Sequence, residues 1–324
     1  MNINDEIMGF FGLRKGFHQV PFLETDAIRK QIDHIKAASQ VSGIIVLTGM
    51  VGSGKTTLLW KIQQQLSDEK QVLVCRSLST DKKRVSINTL YTALFFDLIK
   101  DKNFKIPSQA EQRERKLLEL IKKQDKPIVL FIDEAHDLSS HTLVSLKRLI
   151  ELVYGNGGNL TVILAGHPKL SNDLKRPSME EIGARTQLFQ LNHWIENKDH
   201  YGKWLFKQCC NTGVKIEEII TDEAMDLLIS SLVTPLQINH YLIRAMEQAY
   251  LSCTKPMTIE IIQSVLVPDL DGIEARLARS GYNLQALCET LNARPTEIKA
   301  YFLGQLNTNK LPEFNKEICK LGVI

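Results

Sequence analysis

A glycine-rich segment with one lysine and two threonines is the stretch of this sequence best suited to chemistry. It reads Gly49-Met-Val-Gly-Ser-Gly-Lys-Thr-Thr57 and fits the pattern G-x-x-x-x-G-K-[ST]. Glycines let backbone N–H groups turn toward phosphate oxygens, where a Cβ would obstruct them. Lys55 then reaches the β- and γ-phosphates, and the Thr56 hydroxyl holds Mg²⁺. We predict a site for ATP and Mg²⁺ formed by Gly49, Val51, Gly52, Ser53, Gly54, Lys55, Thr56 and Thr57.

Two adjacent carboxylates follow the apolar run Ile128-Val-Leu-Phe-Ile132. A continuous apolar run ending in acids is typical of a central parallel strand that delivers them to the carboxyl edge of a sheet. We predict that Asp133 binds Mg²⁺ and that Glu134 polarises the water that attacks the γ-phosphate. The string Asp133-Glu-Ala-His136 also occurs in helicases, but their other signatures are absent, so we give it no weight.

The elements that must position these residues alternate along the chain. A short β-branched strand, 44–47, precedes the glycine-rich loop, and a helix with apolar spacing, 56–66, follows it. Further strands at 71–76, 128–132, 160–165 and 188–191 are separated by helical patterns. This order predicts an α/β fold, a parallel sheet with helices on both faces.

The rest of the chain is predicted to be helical, and it divides the sequence into four parts. Residues 1–43 form an apolar elbow and a helix leading into the ATPase core, 44–195. The elbow either packs on an adenine ring or acts as a hydrophobic staple for that helix. Residues 196–267 form a helical lid, and 268–324 form a C-terminal helical domain with a helix-turn-helix-like pattern.

Composition limits the class of protein. The 324 residues are 44% hydrophobic and 24% charged, with a net charge of +3 that permits a nucleic acid partner without requiring one. Six cysteines lack the C-x-x-C pairing of a zinc site, and neither a disulfide framework nor an apolar run of about 18 residues is present. The first residues are acidic, unlike a signal peptide. We expect a cytoplasmic protein without membrane contact.

Taken together, these motifs resemble those of AAA+ ATPases of the ExeA-like group, which includes the transposition ATPases TnsC, TniB and MuB. The resemblance covers about residues 8–267. Besides the two motifs above, it rests on Phe10-Phe-Gly-Leu13 with Val20-Pro-Phe22, and on Thr221-Asp-Glu-Ala224 and Thr234-Pro-Leu-Gln-Ile-Asn239.

The resemblance implies roles for three further positions. His167 falls where the sensor of the γ-phosphate lies, and Arg185 falls where a neighbouring subunit supplies an arginine finger, with Arg176 as the fallback. The family usually has a phosphate-binding arginine in the lid, but here the matching residue is Leu236. We therefore expect slow or partner-dependent hydrolysis, as in a switch rather than a fast motor.

The function that the resemblance implies is an ATP-dependent, DNA-binding regulator of DNA transposition. It would form a homo-oligomer, either ring or filament, on double-stranded DNA of any sequence, and recruit a transposase or target-selector protein. The alternatives are an ATP-controlled transcriptional switch and an ExeA-type secretion ATPase. Secretion ATPases of this type add a membrane span and a wall-binding domain, patterns that we do not find here.

The site of DNA binding is predicted in the ATPase core. Residues 269–324 carry seven Lys or Arg and seven Asp or Glu, so the C-terminal domain is neutral. A dedicated DNA reader is expected to be basic. The best local cluster is instead Lys82, Lys83 and Arg84, which an oligomer would repeat into a basic track. The C-terminal domain then either docks a protein or reads DNA.

Overall fold

The computed structural model describes residues 3–77, 85–99, 101, 104–191, 198–266, 272–307 and 310–322. The predicted DNA-binding residues Lys82, Lys83 and Arg84 lie outside the described residues. The chain forms two compact units. The sheet unit contains Thr25–Gly49 and Lys55–Leu191. The helical unit contains Met1–Glu24, Met50–Gly54 and Asn192–Ile324.

A five-stranded sheet with all its pairings parallel forms the centre of the sheet unit. Its strands are β1 (Gly43–Thr48), β2 (Leu73–Arg76), β3 (Ile128–Ile132), β4 (Leu160–Gly166) and β5 (Thr186–Gln190), in the order β2-β3-β4-β1-β5. The residues of β3 and β4 are buried throughout, which fits strands covered on both faces. The predicted α/β class with a parallel sheet is confirmed.

The helices of the sheet unit begin largely where the sequence has cap residues. They are α2 (Asp26–Ala38), α3 (Lys55–Glu69), α4 (Ile87–Leu98), α5 (Ala110–Lys122), α6 (Ser140–Gly155), α7 (Pro168–Leu174) and α8 (Glu180–Gly183). The side chains of Thr25, Ser86 and Ser139 accept backbone N–H groups at the starts of α2, α4 and α6. These bonds satisfy donors that a helix start leaves unpaired.

A second core organises part of the helical unit. It is built by α1 (Ile3–Phe11), α9 (Lys198–Cys209), α10 (Asp222–Ser231), α11 (Pro235–Leu251) and α12 (Ile259–Val265). The side chain of Thr221 accepts the Ala224 N–H, and Thr234 forms a capping box with Gln237. The helical character predicted for this region is confirmed.

Phe11 of the N-terminal segment does not take the adenine-packing role that is one reading of the predicted elbow. Phe11 ends helix α1 instead of forming an elbow, and it is fully buried in the core of the helical unit. Its ring meets Phe10 edge to face at 5.0 Å. Because Phe11 has no exposed surface, it cannot pack on an adenine ring. Phe11 instead completes the helical core, together with Leu13.

The C-terminal helices have a small core of their own. They are α13 (Ile273–Arg279), α14 (Leu284–Leu291), α15 (Pro295–Phe302) and α16 (Leu311–Lys320). Asn292 ends α14 in the left-handed conformation, and the Glu297 carboxylate accepts the Arg294 N–H at 2.9 Å at the start of α15. A helical C-terminal region is therefore confirmed. Among the helices the structure describes, none combines the length and apolar character that crossing a membrane requires.

Candidate nucleotide and hydrolysis site

The register of the sheet brings the sequence-predicted residues to one edge. Thr48, which precedes the glycine-rich loop, pairs with Gly166 of β4, and Ile132 of β3 pairs with Leu164. Since all three strands run in one direction, the residues that follow them emerge together at the carboxyl edge. Those residues are the loop at Gly49, the carboxylates Asp133 and Glu134, and His167.

Asp133 is held through both of its carboxylate oxygens. The Thr56 hydroxyl donates a hydrogen bond to one oxygen at 2.8 Å, and the backbone N–H of Glu134 donates to the other at 2.8 Å. Hydroxyl and carboxylate oxygens are the hard ligands that Mg²⁺ prefers, usually with several waters retained. The pair therefore suits a magnesium ion, as the sequence predicted.

Lys55 is a buried cation at this edge. It is the first residue of α3, and only 5% of its surface is exposed. Burial lowers the pKa of its ammonium group, and the charges of Glu134 and Asp133 oppose that shift. A cation in such a poorly solvated position attracts anions more strongly than one in water. It is placed to bind a phosphate group.

The glycine-rich loop has the backbone that phosphate binding requires. Gly52 and Gly54 have φ angles of +80° and +89°, where a side chain would be strained. The hydroxyl of Ser53 is buried and has no hydrogen-bond partner among the described residues. A buried donor without a partner costs free energy, and a phosphate oxygen would satisfy it. These features fit a bound polyphosphate.

Leu236 lies against this loop within the helical unit. Its N–H donates to the Gly52 carbonyl at 3.4 Å, and a Cβ added to Gly52 would lie 2.6 Å from the Leu236 Cβ. The N–H of Val51 donates to the Arg279 carbonyl at 3.0 Å. The lid position where the family usually has an arginine is therefore next to the loop, and its side chain is aliphatic and 58% exposed.

Glu134 adopts an unusual backbone conformation. Its φ and ψ are 54° and 37°, in the left-handed region that non-glycine residues rarely occupy. Such strain is often found at functional sites, where the surrounding structure holds it. The strand ends at Ile132, and this turn aims the next carboxylate toward two imidazole rings.

Two stacked histidines flank the Glu134 carboxylate. One carboxylate oxygen lies 3.2 Å from His136 Nδ1 and 3.8 Å from His167 Nε2. The two rings stack with centroids 3.7 Å apart. Gly166 makes this approach possible, because a Cβ there would lie only 3.1 Å from the His136 backbone nitrogen. Glu134 thus lies beside two rings that come from different strand ends, and the buried Nδ1 atoms of both rings have no hydrogen-bond partner among the described residues.

Both imidazoles are held neutral. Burial lowers the pKa of His136, and burial, followed by the charges of His136 and Lys55, lowers the pKa of His167 to about 3. A neutral imidazole can orient a carboxylate without cancelling its charge. The arrangement leaves Glu134 able to accept a proton from water.

The same three side chains also bring ligand atoms within 4.8 Å of one another, as in some metal sites. The two ring planes, however, are inclined by only 21°. Since the nitrogen lone pairs lie in the ring planes, they point side by side and do not converge on one ion. The set does not fit the tetrahedral geometry of zinc. We interpret it as a carboxylate beside two stacked rings.

The structure adds His136 to the predicted site and places Arg185 away from it. His136 had no assigned role, although its place two residues after Glu134 was a usable signal. Arg185 precedes Thr186 of β5, which pairs with Ile44 at the amino edge of the sheet. It is 65% exposed and forms an ion pair with Glu151. Arg185 therefore lies at the opposite edge from Glu134.

Comparisons with known proteins identify the family and fold that this chain resembles. Residues 38–174 match the family model described as an AAA domain. General secretion pathway protein A of Aeromonas hydrophila is 28% identical over 162 residues, which is 47% of this chain and 28% of that protein. The chain thus spans less than a third of the length of this relative.

Two solved structures share the fold. Cdc6p from Pyrobaculum aerophilum has a TM-score of 0.55 and 15% identity, covering 93% of this chain and 96% of that chain. Drosophila ORC bound to DNA has a TM-score of 0.54 and 14% identity, covering 98% and 77%. The predicted AAA+ fold and the resemblance to ExeA-like ATPases are confirmed, and ATPase activity is supported. These comparisons do not show the predicted similarity to TnsC, TniB or MuB.

Proposed function

We propose that this chain, whose residues 38–174 match an AAA domain, is an ATP-dependent, DNA-binding switch of DNA transposition. With ATP bound, it assembles on double-stranded DNA of any sequence and recruits or activates a transposase or target-selector protein. ATP hydrolysis then releases the assembly. The transposition role rests on the sequence resemblance to TnsC, TniB and MuB.

In this proposal the residues at the carboxyl edge have separate roles in binding ATP and hydrolysing it. Lys55 and the N–H groups of the loop bind the phosphates, and Thr56 and Asp133 hold Mg²⁺, which offsets phosphate charge. Glu134 accepts a proton from the water whose oxygen attacks the γ-phosphorus, while the bond to the β-phosphate oxygen breaks. The neutral rings of His136 and His167 lie beside the Glu134 carboxylate and leave its negative charge in place.

The switch interpretation rests on one observation: the residues for phosphate, Mg²⁺ and water are all present, but Leu236 stands where the family usually has an arginine. The residue lies against the phosphate loop, where an arginine would add a cation to the γ-phosphate. A leucine side chain supplies neither charge nor hydrogen bond. Loss of one such donor typically slows catalysis by about 10²-fold or more. Slow turnover suits an assembly that must persist on DNA.

The position of Arg185 supports assembly into a homo-oligomer. Strand β5 is five residues long, so Arg185 is about 16 Å from the carboxyl edge of its own sheet. A guanidinium at that distance cannot reach a phosphate bound in the same subunit. In this proposal Arg185 serves the site of a neighbouring subunit, as an arginine finger does.

Duplex DNA is the partner that the charge pattern and the fold favour. Drosophila ORC, which shares the fold, forms a complex with DNA. In this chain the C-terminal domain is neutral, so the cluster Lys82, Lys83 and Arg84 is the stronger candidate. Repeated around an oligomer, it would give a continuous basic track with steep salt dependence.

The test is duplex binding measured by fluorescence anisotropy with a non-hydrolysable ATP analogue or ADP, with electron microscopy of the complex. We expect rings or filaments with the analogue only. Reversal of Lys82, Lys83 and Arg84 to Glu should abolish DNA binding and spare ATP hydrolysis. Reversal of the exposed lysines Lys122, Lys123 and Lys126, a matched change of charge, should have little effect. If removal of residues 269–324 abolishes binding instead, the C-terminal domain is the reader.

A secretion ATPase is the second candidate, and the match to General secretion pathway protein A favours it. The two functions predict different partners. A transposition switch should bind a purified DDE transposase in the ATP state and stimulate strand transfer. A secretion ATPase should instead co-sediment with peptidoglycan and ignore duplex DNA.

A further inference from the structure

A basic cavity in the helical unit is lined by none of the residues that we assign to ATP hydrolysis. It measures about 650 Å³ and its lining includes Arg14, Lys203, Trp204, Lys207, Lys215 and Glu217. We propose that this Trp204 cleft binds single-stranded nucleic acid, with a base against the indole and the flanking phosphates on the lysines. The choice of a nucleic acid partner rests on the proposed function, but the site itself needs neither ATP nor an oligomer.

Charge is concentrated at the Trp204 cleft. Four cations face one carboxylate there, so the lining carries +3, which equals the net charge of the whole 324-residue chain. Positive and negative charges therefore balance over the remainder of the sequence. A cleft of one sign of charge raises the local concentration of oppositely charged ligands. The ligand indicated is an anion.

The three lysines of the cleft form no ion pair among the residues that the structure describes. Lys203, Lys207 and Lys215 are exposed. The guanidinium of Arg14 donates to the Gln208 carbonyl at 3.2 Å, which anchors it at the end of α9. The lysines can turn toward phosphate oxygens, while Arg14 adds a fixed charge.

Two like charges of the cleft lie on one face of α9. Lys203 and Lys207 lie one turn apart, and like charges at that spacing destabilise a helix. A bound anion would reduce the repulsion between these two ammonium groups.

Trp204 decides what kind of anion fits. Its side chain is half-buried, lies 5.8 Å from the Tyr201 ring and lines the cleft. Aromatic faces beside basic side chains bind single strands by stacking unpaired bases. Bases in a duplex already stack on one another and cannot reach an indole. The volume falls within the usual range for a ligand pocket and suits one or two nucleotides.

The test uses the full chain without ATP and measures anisotropy of short labelled oligo-dT and oligo-rU strands. The double reversal Lys203→Glu and Lys207→Glu should weaken binding at least about ten-fold. It should also reduce the slope of log K against log salt by about 1.4, the value for two lost contacts to a single strand. The matched control Lys122→Glu and Lys126→Glu should bind like the wild type.

Substitution of the tryptophan separates stacking from charge. Trp204→Phe keeps a flat ring and should retain binding, whereas Trp204→Ala should weaken it by about ten-fold or more. Thermal melting of both variants shows whether a loss reflects unfolding. If Trp204→Ala fails to fold, the lysine reversal, which changes only exposed side chains, still decides the question.

Three results would overturn the inference. One is equal strand binding by the lysine reversal and its control. The others are competition by free dTMP, or by poly-glutamate, as strong as competition by the strand itself. ATP-driven duplex binding is measured on the same proteins. If the wild type does not bind duplex DNA with ATP, the proposed function fails and the result for the cleft stands. If the wild type does bind duplex DNA, but Lys203→Glu and Lys207→Glu leave single-strand binding unchanged, only the inference about the cleft fails.

Discussion

The two histidines beside Glu134 make the sheet unit sensitive to acid. The His167 side chain is only 16% exposed, and its pKa in the folded chain is about 3, against an ordinary value near 6.5. Between these two values the unfolded chain binds a proton that the folded chain does not. The free energy of unfolding therefore rises with pH in that window and is lost as pH falls.

The size of this effect follows from the difference in pKa. Each pH unit below about 6.5 removes about 1.4 kcal/mol, so His167 alone should account for about 2 kcal/mol between pH ~6.5 and pH ~5. The pKa of His136 is also lowered by burial, which adds to the loss in the same direction. The substitution His167→Asn replaces the ring with a group that never ionises and should remove its share.

Hydrogen exchange of the β4 amides measures the stability of the sheet unit directly. The wild type should lose about 2 kcal/mol more protection than His167→Asn when the pH falls from about 6.5 to about 5. His18→Asn, at an exposed histidine of the helical unit, serves as the control and should match the wild type. Equal acid sensitivity of wild type and His167→Asn would refute a buried neutral imidazole at this site.

Three further predictions concern ATP hydrolysis and assembly. Glu134→Gln should bind ATP normally but hydrolyse it about 10²-fold more slowly. Lys55→Ala should weaken nucleotide binding itself. Unchanged turnover in Glu134→Gln would contradict the assignment of Glu134 as the base. Arg185→Ala should bind nucleotide as a monomer yet lose ATP-driven oligomers in light scattering. If both Arg185→Ala and Arg176→Ala assemble normally with ATP, the arginine finger is another residue. Leu236→Arg should speed hydrolysis by roughly ten-fold, because it adds a cation beside Gly52; no change would show that the loop does not sense position 236.

Local sequence determined the parts of this protein in which neighbours along the chain act together. The phosphate loop and the start of α3 need particular residues within nine positions, so Gly49–Thr57 identifies them without any knowledge of the fold. The same holds for the buried strand that ends at Asp133, since an apolar run followed by acids reports both burial and a strand end. Parallel strands then fix that these ends share one edge.

Tertiary structure decided the contacts between residues distant in sequence. His136 and His167 stack only because β3 and β4 are neighbours and Gly166 has no side chain, and no periodicity records that approach. Phe11 packs in the helical core rather than on a nucleotide because a buried apolar ring gains most where it is fully enclosed. An apolar segment predicts that its side chains will be buried, but it does not indicate in which core they will lie.

The Trp204 cleft shows the same division between the two levels. The lysines of α9 are visible in the sequence as like charges one turn apart, but Arg14 is far from them along the chain. Its guanidinium reaches the end of α9 because α1 packs in the same core. Charge spacing within a helix follows from sequence, whereas a cavity requires that separate segments fold together. The physical reason is that local propensity acts over a few residues and burial acts over the whole unit.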